Sequence, residues 1–287
     1  MFKILNETFR TGIVTTGYPA AAADIAAGFR GLPRIDFPAW RDARPAAEVC
    51  PTDAISAVDL GGVRDVTVDY GLCVFCGLCA EATPEGAIQI TPEFELAVEH
   101  RQELILSAHY GLNEDGSHRD LISVRPGAAA VEPAAERAGR KLKEQISATL
   151  GRSLAIREVD AGSCNGCELE IHALNNPIYD IERFGVHFVA SPRHADMLLV
   201  TGPVTRNMEV ALKKTYLATP EPRLVVAVGA CGISGGIFGR NYASLGGADQ
   251  VVPVDVYIPG CPPRPQALLQ GILMAIGRMK QALHLST

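Results

Sequence analysis

Long apolar runs are missing from this 287-residue chain. The best candidate, Leu268 to Met279, falls short of the roughly 18–20 residues that cross a bilayer and carries Gln270 and Arg278. Met1 to Gly12 lacks the apolar core of an export signal and any twin-arginine pair, so a cytosolic location is expected. Positive charge is not in excess either. With 26 Lys+Arg against 32 Asp+Glu the net charge is −6, and no basic stripe marks a nucleic-acid partner. No fixed-period repeat runs along the whole chain, which excludes a solenoid. What is present is a composition 47% apolar and 20% charged, that of a globular protein. At roughly 100–200 residues per domain, the length fits two domains.

Cysteine is where the chain is rich. The eight are Cys50, Cys73, Cys76, Cys79, Cys164, Cys167, Cys231 and Cys261, in two groups of four separated by a cysteine-free gap from Ala80 to Ser163. Without an export signal, metal ligation or redox chemistry is favoured over disulfides. Four thiolates per group meet the requirement of a [4Fe–4S] cluster or of a structural zinc. The stretch from Pro126 to Gly151 is first Pro/Ala-rich and then charged, and reads as a connection between domains. The expected division is 1–100, a connecting segment 101–151, and 152–287. Within it, Asn113 to Arg119 reads as a solvated loop.

Cys73, Cys76 and Cys79 form C-x2-C-x2-C, a loop that points three sulfurs at one cube. Zinc knuckles usually present pairs instead. The bacterial [4Fe–4S] pattern continues with x3-C-P, whose last cysteine serves the other cluster of a pair. Here that position is Thr83, followed by Pro84. Upstream, Cys50-Pro51-Thr52-Asp53-Ala54-Ile55 parallels Thr83-Pro84-Glu85-Gly86-Ala87-Ile88, an internal repeat. The same spacing counted back from Cys50 reaches Ala46, Ala43 and Trp40. By the crossed rule one ligand set (Trp40, Ala43, Ala46, Thr83) has lost every cysteine, while the other (Cys50, Cys73, Cys76, Cys79) is complete. This half resembles a bacterial two-cluster ferredoxin that retains one cluster, with Trp40 filling part of the vacated space.

The second half alternates strand-like and helix-like stretches. Ser153 to Val159, Val186 to Ala190, Met197 to Thr201, Leu224 to Val228 and Gln250 to Val254 read as buried strands. Helical patterns lie around Cys167 to Leu174, Glu209 to Leu217 and Pro265 to Leu283. Such βαβ alternation implies a parallel sheet whose ligands bind beyond the carboxyl ends of its strands. Cys164 and Cys167, Cys231 and Cys261 each follow a strand into a glycine-rich loop. Gly229 to Gly236 could also cradle a phosphate, but it lacks the lysine of G-x4-G-K-[ST]. Zinc is the stronger rival, although C-x2-C with two distant single cysteines is not a ribbon or knuckle pattern.

Cys164-Asn165-Gly166-Cys167-Glu168-Leu169-Glu170, Ser191-Pro192-Arg193-His194-Ala195-Asp196, Gly229-Ala230-Cys231-Gly232 and Val254 through Pro263 resemble the small subunit of group 4 [NiFe] hydrogenases. The same fold serves in the corresponding small subunit of respiratory complex I. The resemblance covers 152–283. Residues from Phe2 to about Val98 resemble the ferredoxin-like subunit of formate hydrogenlyase-type enzymes, carried by Thr11-Gly12, Tyr18-Pro19 and Phe29-Arg30-Gly31. The resemblance implies an α/β fold: an open parallel-sheet, flavodoxin-like small-subunit domain preceded by a small α+β ferredoxin-like domain, as if neighbouring subunits were fused.

It further implies an electron-transfer oxidoreductase subunit holding two [4Fe–4S] clusters, the catalytic centre lying in a partner. The first cluster would sit on Cys50, Cys73, Cys76 and Cys79, and the second on Cys164, Cys167, Cys231 and Cys261. Implied partners are a [NiFe] hydrogenase-type large subunit, membrane subunits of a complex I-like arm, and an iron–sulfur or formate dehydrogenase-type donor. The location would be peripheral, on the inner face of the cell membrane. The complex I proteins of this fold carry adjacent cysteines at the first ligand position, so Cys164-x2-Cys167 favours the hydrogenase branch over a nickel-free quinone oxidoreductase. Glu168 and Glu170 are candidates for a proton path or for helix-start carboxylates. His172 and His194 read as packing or hydrogen-bonding residues. Arg193 would tune a cluster or cap a loop. Phe2, Leu5, Phe9 and Ile13 form a helical stripe fit for a membrane subunit or for core.

Overall fold

Two glycines in succession, Gly61 and Gly62, both adopt positive φ (59° and 84°), the demand of a two-residue hairpin turn. They join β2 (Ile55–Leu60) to β3 (Val63–Asp69), paired antiparallel from Ile55↔Val68 to Leu60↔Val63. The outer halves of the sequence repeat, β1 (Pro33–Ile35) and β4 (Ile88–Ile90), pair with each other. A short helix precedes each repeat's Cys/Thr-Pro step, Arg44–Glu48 in one and Leu78–Glu81 in the other. The computed structural model describes residues 2–127, 153–283 and 285.

The expected connecting segment is corrected at its start. β5 (Ile105–Leu112) pairs with β3, and β6 (His118–Pro126) pairs with β5, completing an antiparallel sheet of order β2-β3-β5-β6. The pattern was there to read: Leu106, Ala108 and Tyr110 alternate inward with more exposed neighbours, which is the period of a half-buried strand. The solvated loop shrinks to a turn at Asn113–Ser117, since His118 and Arg119 already belong to β6. The rest of the connecting stretch, 128–151, lies outside the described residues.

The second half forms one parallel sheet from β7 (Leu154–Asp160), β8 (Val186–Phe188), β9 (Met197–Thr201), β10 (Leu224–Val228) and β11 (Val256–Ile258). Its order is β11-β10-β9-β7-β8 and every pair is parallel. Counted within the domain this is the flavodoxin-like arrangement, whose switch point falls between β7 and β9. β9 and β10 are buried along their whole lengths because the sheet is covered on both faces. The helices Gly166–Ala173, Arg206–Ala218 and Pro265–Ala275 lie where the pattern put them, though the last stops eight residues early, just before Gly277.

Gln250 to Val254 is not a strand. Pro253 has no N–H to give a ladder, and the fifth strand begins after it, at Val256. The Asp255 carboxylate, at that entry, accepts a hydrogen bond from the Val225 N–H at 2.7 Å.

The two halves do not keep separate cores. Val98 and Tyr257 exchange backbone hydrogen bonds of 3.0 and 2.9 Å, and one apolar cluster runs from Trp40 and Tyr110 through Val98 to Val200 and Tyr257. Ferredoxin-like and parallel-sheet parts are therefore packed as one body, which sets the spacing of their cysteines.

Candidate metal centres

The loop that leaves β3 turns Cys73, Cys76 and Cys79 toward one pocket, and Cys50, at the end of the Arg44–Glu48 helix, completes its wall. Backbone donors already address the sulfurs: the Ala54 N–H points to Cys50 Sγ (3.2 Å) and the Phe75 N–H to Cys73 Sγ (3.3 Å). Burial pushes the Cys73 thiol up to about 12 and the Cys79 thiol up to about 11, and neighbouring sulfurs add to both. Bare thiolates are thus disfavoured there, and a positively charged metal group is what would hold them ionised.

At the vacated positions, Trp40 is 1% exposed, Ala43 and Ala46 are fully buried, and Thr83 is 4% exposed. Aromatic rings occupy this side of the fold. His118 stacks on Tyr110 at 3.7 Å between centroids and meets Trp40 edge-on at 6.2 Å. Tyr110 Oη donates to the Phe37 carbonyl (2.9 Å), and His118 Nδ1 lies 2.8 Å from the Trp40 carbonyl. Burial holds the His118 imidazole below its usual range. The Thr83 hydroxyl donates to the Cys79 carbonyl, four residues back in the chain, at 2.7 Å.

The second set gathers at the carboxyl edge of the parallel sheet. Cys164 and Cys167 follow β7, Cys231 lies in the Gly229–Ser234 turn of helix after β10, and Cys261 follows β11. Two glycines make room. A Cβ at Gly229 would lie 2.8 Å from Cys167 Sγ and one at Gly236 2.6 Å from Cys231 Sγ, whereas one at Gly166 would make only ordinary contact with Cys164 Sγ, at 3.5 Å. Burial raises Cys167 strongly, with the adjacent Glu168 adding, and pushes Cys231 up to about 11. Cys164 and Cys261 are exposed.

A zinc ion, with Zn–S of about 2.3 Å, draws four sulfurs to within roughly 4 Å of one another. Among the described residues, no three or more His, Cys, Asp or Glu side chains are arranged around a single ion position. Glycine clearance beside the sulfurs and N–H groups aimed at them suit a bulkier group.

The two sets adjoin. Val74 and Phe75 of the first loop face Cys261, Pro262 and Pro263 of the second across a shared cleft. The negative charge of Cys76 reaches Cys261 and, after burial and Cys164, raises its thiol further.

Glu168 is buried and neither carboxylate oxygen has a hydrogen-bond partner; Glu170 is raised by burial. His172 is exposed on the same helix. Arg193 does not reach a cysteine. It lies with His194 in the turn before β9, at the amino end of the sheet, where the Ser191 side chain caps its N–H (3.4 Å). That placement removes it as a cluster-tuning residue. The helix Phe2–Thr11 carries Phe9, and Ile13 follows it; both are more than four-fifths exposed, so this part of the stripe is not core. The side chains of Phe2 and Leu5 lie outside the described residues. Missed by sequence reading were the buried state of Glu168 and the arginines Arg30 and Arg264 beside the cleft, none of which has a spacing signature.

Residues 164–275 match the family model described as NADH ubiquinone oxidoreductase, 20 Kd subunit. A probable membrane-bound hydrogenase subunit, mbhJ, of Pyrococcus furiosus is 48% identical over 135 residues, covering 47% of this chain and 81% of that relative. The chain belongs to this family. Formate hydrogenlyase subunit 7 of Escherichia coli is 50% identical over 143 residues, 50% of this chain and 56% of that one. An NADH-quinone oxidoreductase subunit of Desulfovibrio desulfuricans is 48% identical over 124 residues, 43% of this chain and 66% of that one. The chain thus spans little more than half the length of the Escherichia coli relative. The relatives are oxidoreductase subunits.

Proposed function

We propose that the chain is an electron-transfer subunit of a membrane-associated group 4 [NiFe] hydrogenase of the formate hydrogenlyase type. Cys50, Cys73, Cys76 and Cys79 would hold one [4Fe–4S] cluster, and Cys164, Cys167, Cys231 and Cys261 a second. Electrons would pass to or from a [NiFe] site in a partner large subunit. The observation that carries this reading is that Cys50, Cys73, Cys76 and Cys79 line one pocket and that their loop shares a cleft with Cys261 of the second set. A bound cluster supplies one-electron storage with little rearrangement. The chain's residues do the rest: they space the sulfurs, aim N–H groups at them and exclude water on the buried side.

The exposed edge offers the place for a partner. Leu169, two residues after Cys167, and Ile237 and Phe238, in the turn that follows Cys231, are each more than half exposed, apolar side chains suited to a large subunit. With no described helix long and apolar enough to cross a membrane, attachment would come through membrane subunits of a complex I-like arm. The location would be the inner face of the cell membrane. The donor would be a further iron–sulfur or formate dehydrogenase-type protein.

Metal analysis of the complex that co-purifies with this chain from gently solubilised membranes tests the reading. About one nickel per complex, with iron above the roughly eight atoms of this chain's own clusters, is expected. Iron without nickel would overturn the hydrogenase assignment and point to a nickel-free quinone oxidoreductase.

A further inference from the structure

The N-terminal segment Asp24–Gly31 runs along the cleft that separates the two cysteine loops, and it is pinned at both. On the side of the second set, Arg264, three residues after Cys261, donates to the Asp24 carbonyl (3.1 Å). Its guanidinium lies over the ring of Phe29 at 4.9 Å and over Phe94 at 5.1 Å. On the side of the first set, Arg30 Nη1 donates to the Cys76 carbonyl at 2.7 Å, and the Arg30 stem passes along Gly77. Phe29, Arg30 and Gly31 of this strap line the same cleft as Val74 and Phe75 of the first loop and Cys261 of the second.

We propose that Arg30 is a positioning residue for electron exchange between the two cysteine sets, locking the Cys76 loop against the strap and placing a positive charge beside the first set. This rests on the cluster reading above. Of the other charged groups at the cleft, Glu93 is paired with Arg34, and Arg264 lies on the side of the second set, against Phe29 and Phe94. Arg30 is the cleft cation that is hydrogen-bonded to the loop of the first set. Positive charge favours the reduced, more negative cluster, so it raises the potential; removing it must lower the potential. Because Arg30 is exposed on its outer side, the effect is largest at low ionic strength.

The test uses the full chain with its iron loaded, comparing Arg30→Gln, Arg30→Lys and Arg264→Gln by EPR-monitored redox titration at low salt. Arg30→Gln should disfavour reduction of the first cluster about tenfold, which is about 59 mV for one electron, with iron content unchanged. Arg30→Lys, which keeps the charge, should recover most of that shift. Arg264→Gln, which frees the other end, should leave the first potential near wild type. Both Gln variants should weaken the magnetic interaction between the two reduced clusters. Unchanged midpoints and unchanged interaction in iron-replete Arg30→Gln would overturn the proposal. So would equal shifts in the Gln and Lys variants; where Arg30→Gln fails to load iron, a first-cluster midpoint in iron-replete Arg30→Lys shifted by as much as about tenfold overturns the proposal, and one near wild type upholds it. A wild-type chain without iron or sulfide would instead overturn the cluster reading itself.

Discussion

Replacing Cys231 with alanine should take the iron of the purified chain from about eight atoms per molecule to about four, the content of a single cubane. The remaining EPR signal should be that of the first set. Cys231 is the informative choice because its Sγ lies against Gly236, in a turn of helix fixed by β10. The strand itself, Leu224–Val228, is buried whatever the sulfur holds, so the sheet should survive the loss. Cys76→Ala is the mirror experiment and should leave the other signal. Loss of all iron from either variant would mean that the two sets do not act as separate ligand groups. Iron measurement with EPR on both variants decides between these outcomes.

Trp40→Ala should destabilise the chain by about 3–5 kcal/mol, the usual cost of truncating a fully buried large aromatic. The ring is 1% exposed and meets Phe37 (6.3 Å between centroids) and His118, while Ala43 and Ala46 leave no side chain able to collapse into the hole. Trp40→Phe keeps most of the volume and should cost less. Trp40 Nε1 has no hydrogen-bond partner, so the indole N–H contributes nothing that phenylalanine would lose. Denaturant unfolding of the iron-loaded chains gives the difference. A loss below about 1 kcal/mol for the alanine variant would mean that this side of the fold is not held by its aromatic packing.

The cysteine sets were legible because metal ligands leave a spacing signature. C-x2-C-x2-C, the Cys50-Pro51 and Thr83-Pro84 echo, and single cysteines after buried strands survive in one dimension. The parallel sheet was legible for a related reason: β9 and β10 are near-continuous Leu, Val and Ala runs. What escaped depends on long-range pairing. The β5–β6 hairpin adds to β3 across more than thirty-five residues, and its alternating pattern was overshadowed by the polar turn at Asn113–Ser117. The Gln250–Val254 reading failed because hydrophobic content outweighed Pro253. Arg193 shows the limit of motif proximity: it lies in a recognisable motif, yet the chain takes it to the opposite end of the sheet from the cysteines. Arg30, whose motif Phe29-Arg30-Gly31 gave no hint of a role at the cysteines, lies within hydrogen-bond reach of the Cys76 carbonyl.

The most direct measurement is iron, zinc and acid-labile sulfide on the anaerobically purified full chain. Two cubane clusters require about eight iron and about eight sulfide per molecule, with little zinc. About two zinc and no sulfide would contradict the account at its root, turning both cysteine sets into structural metal sites.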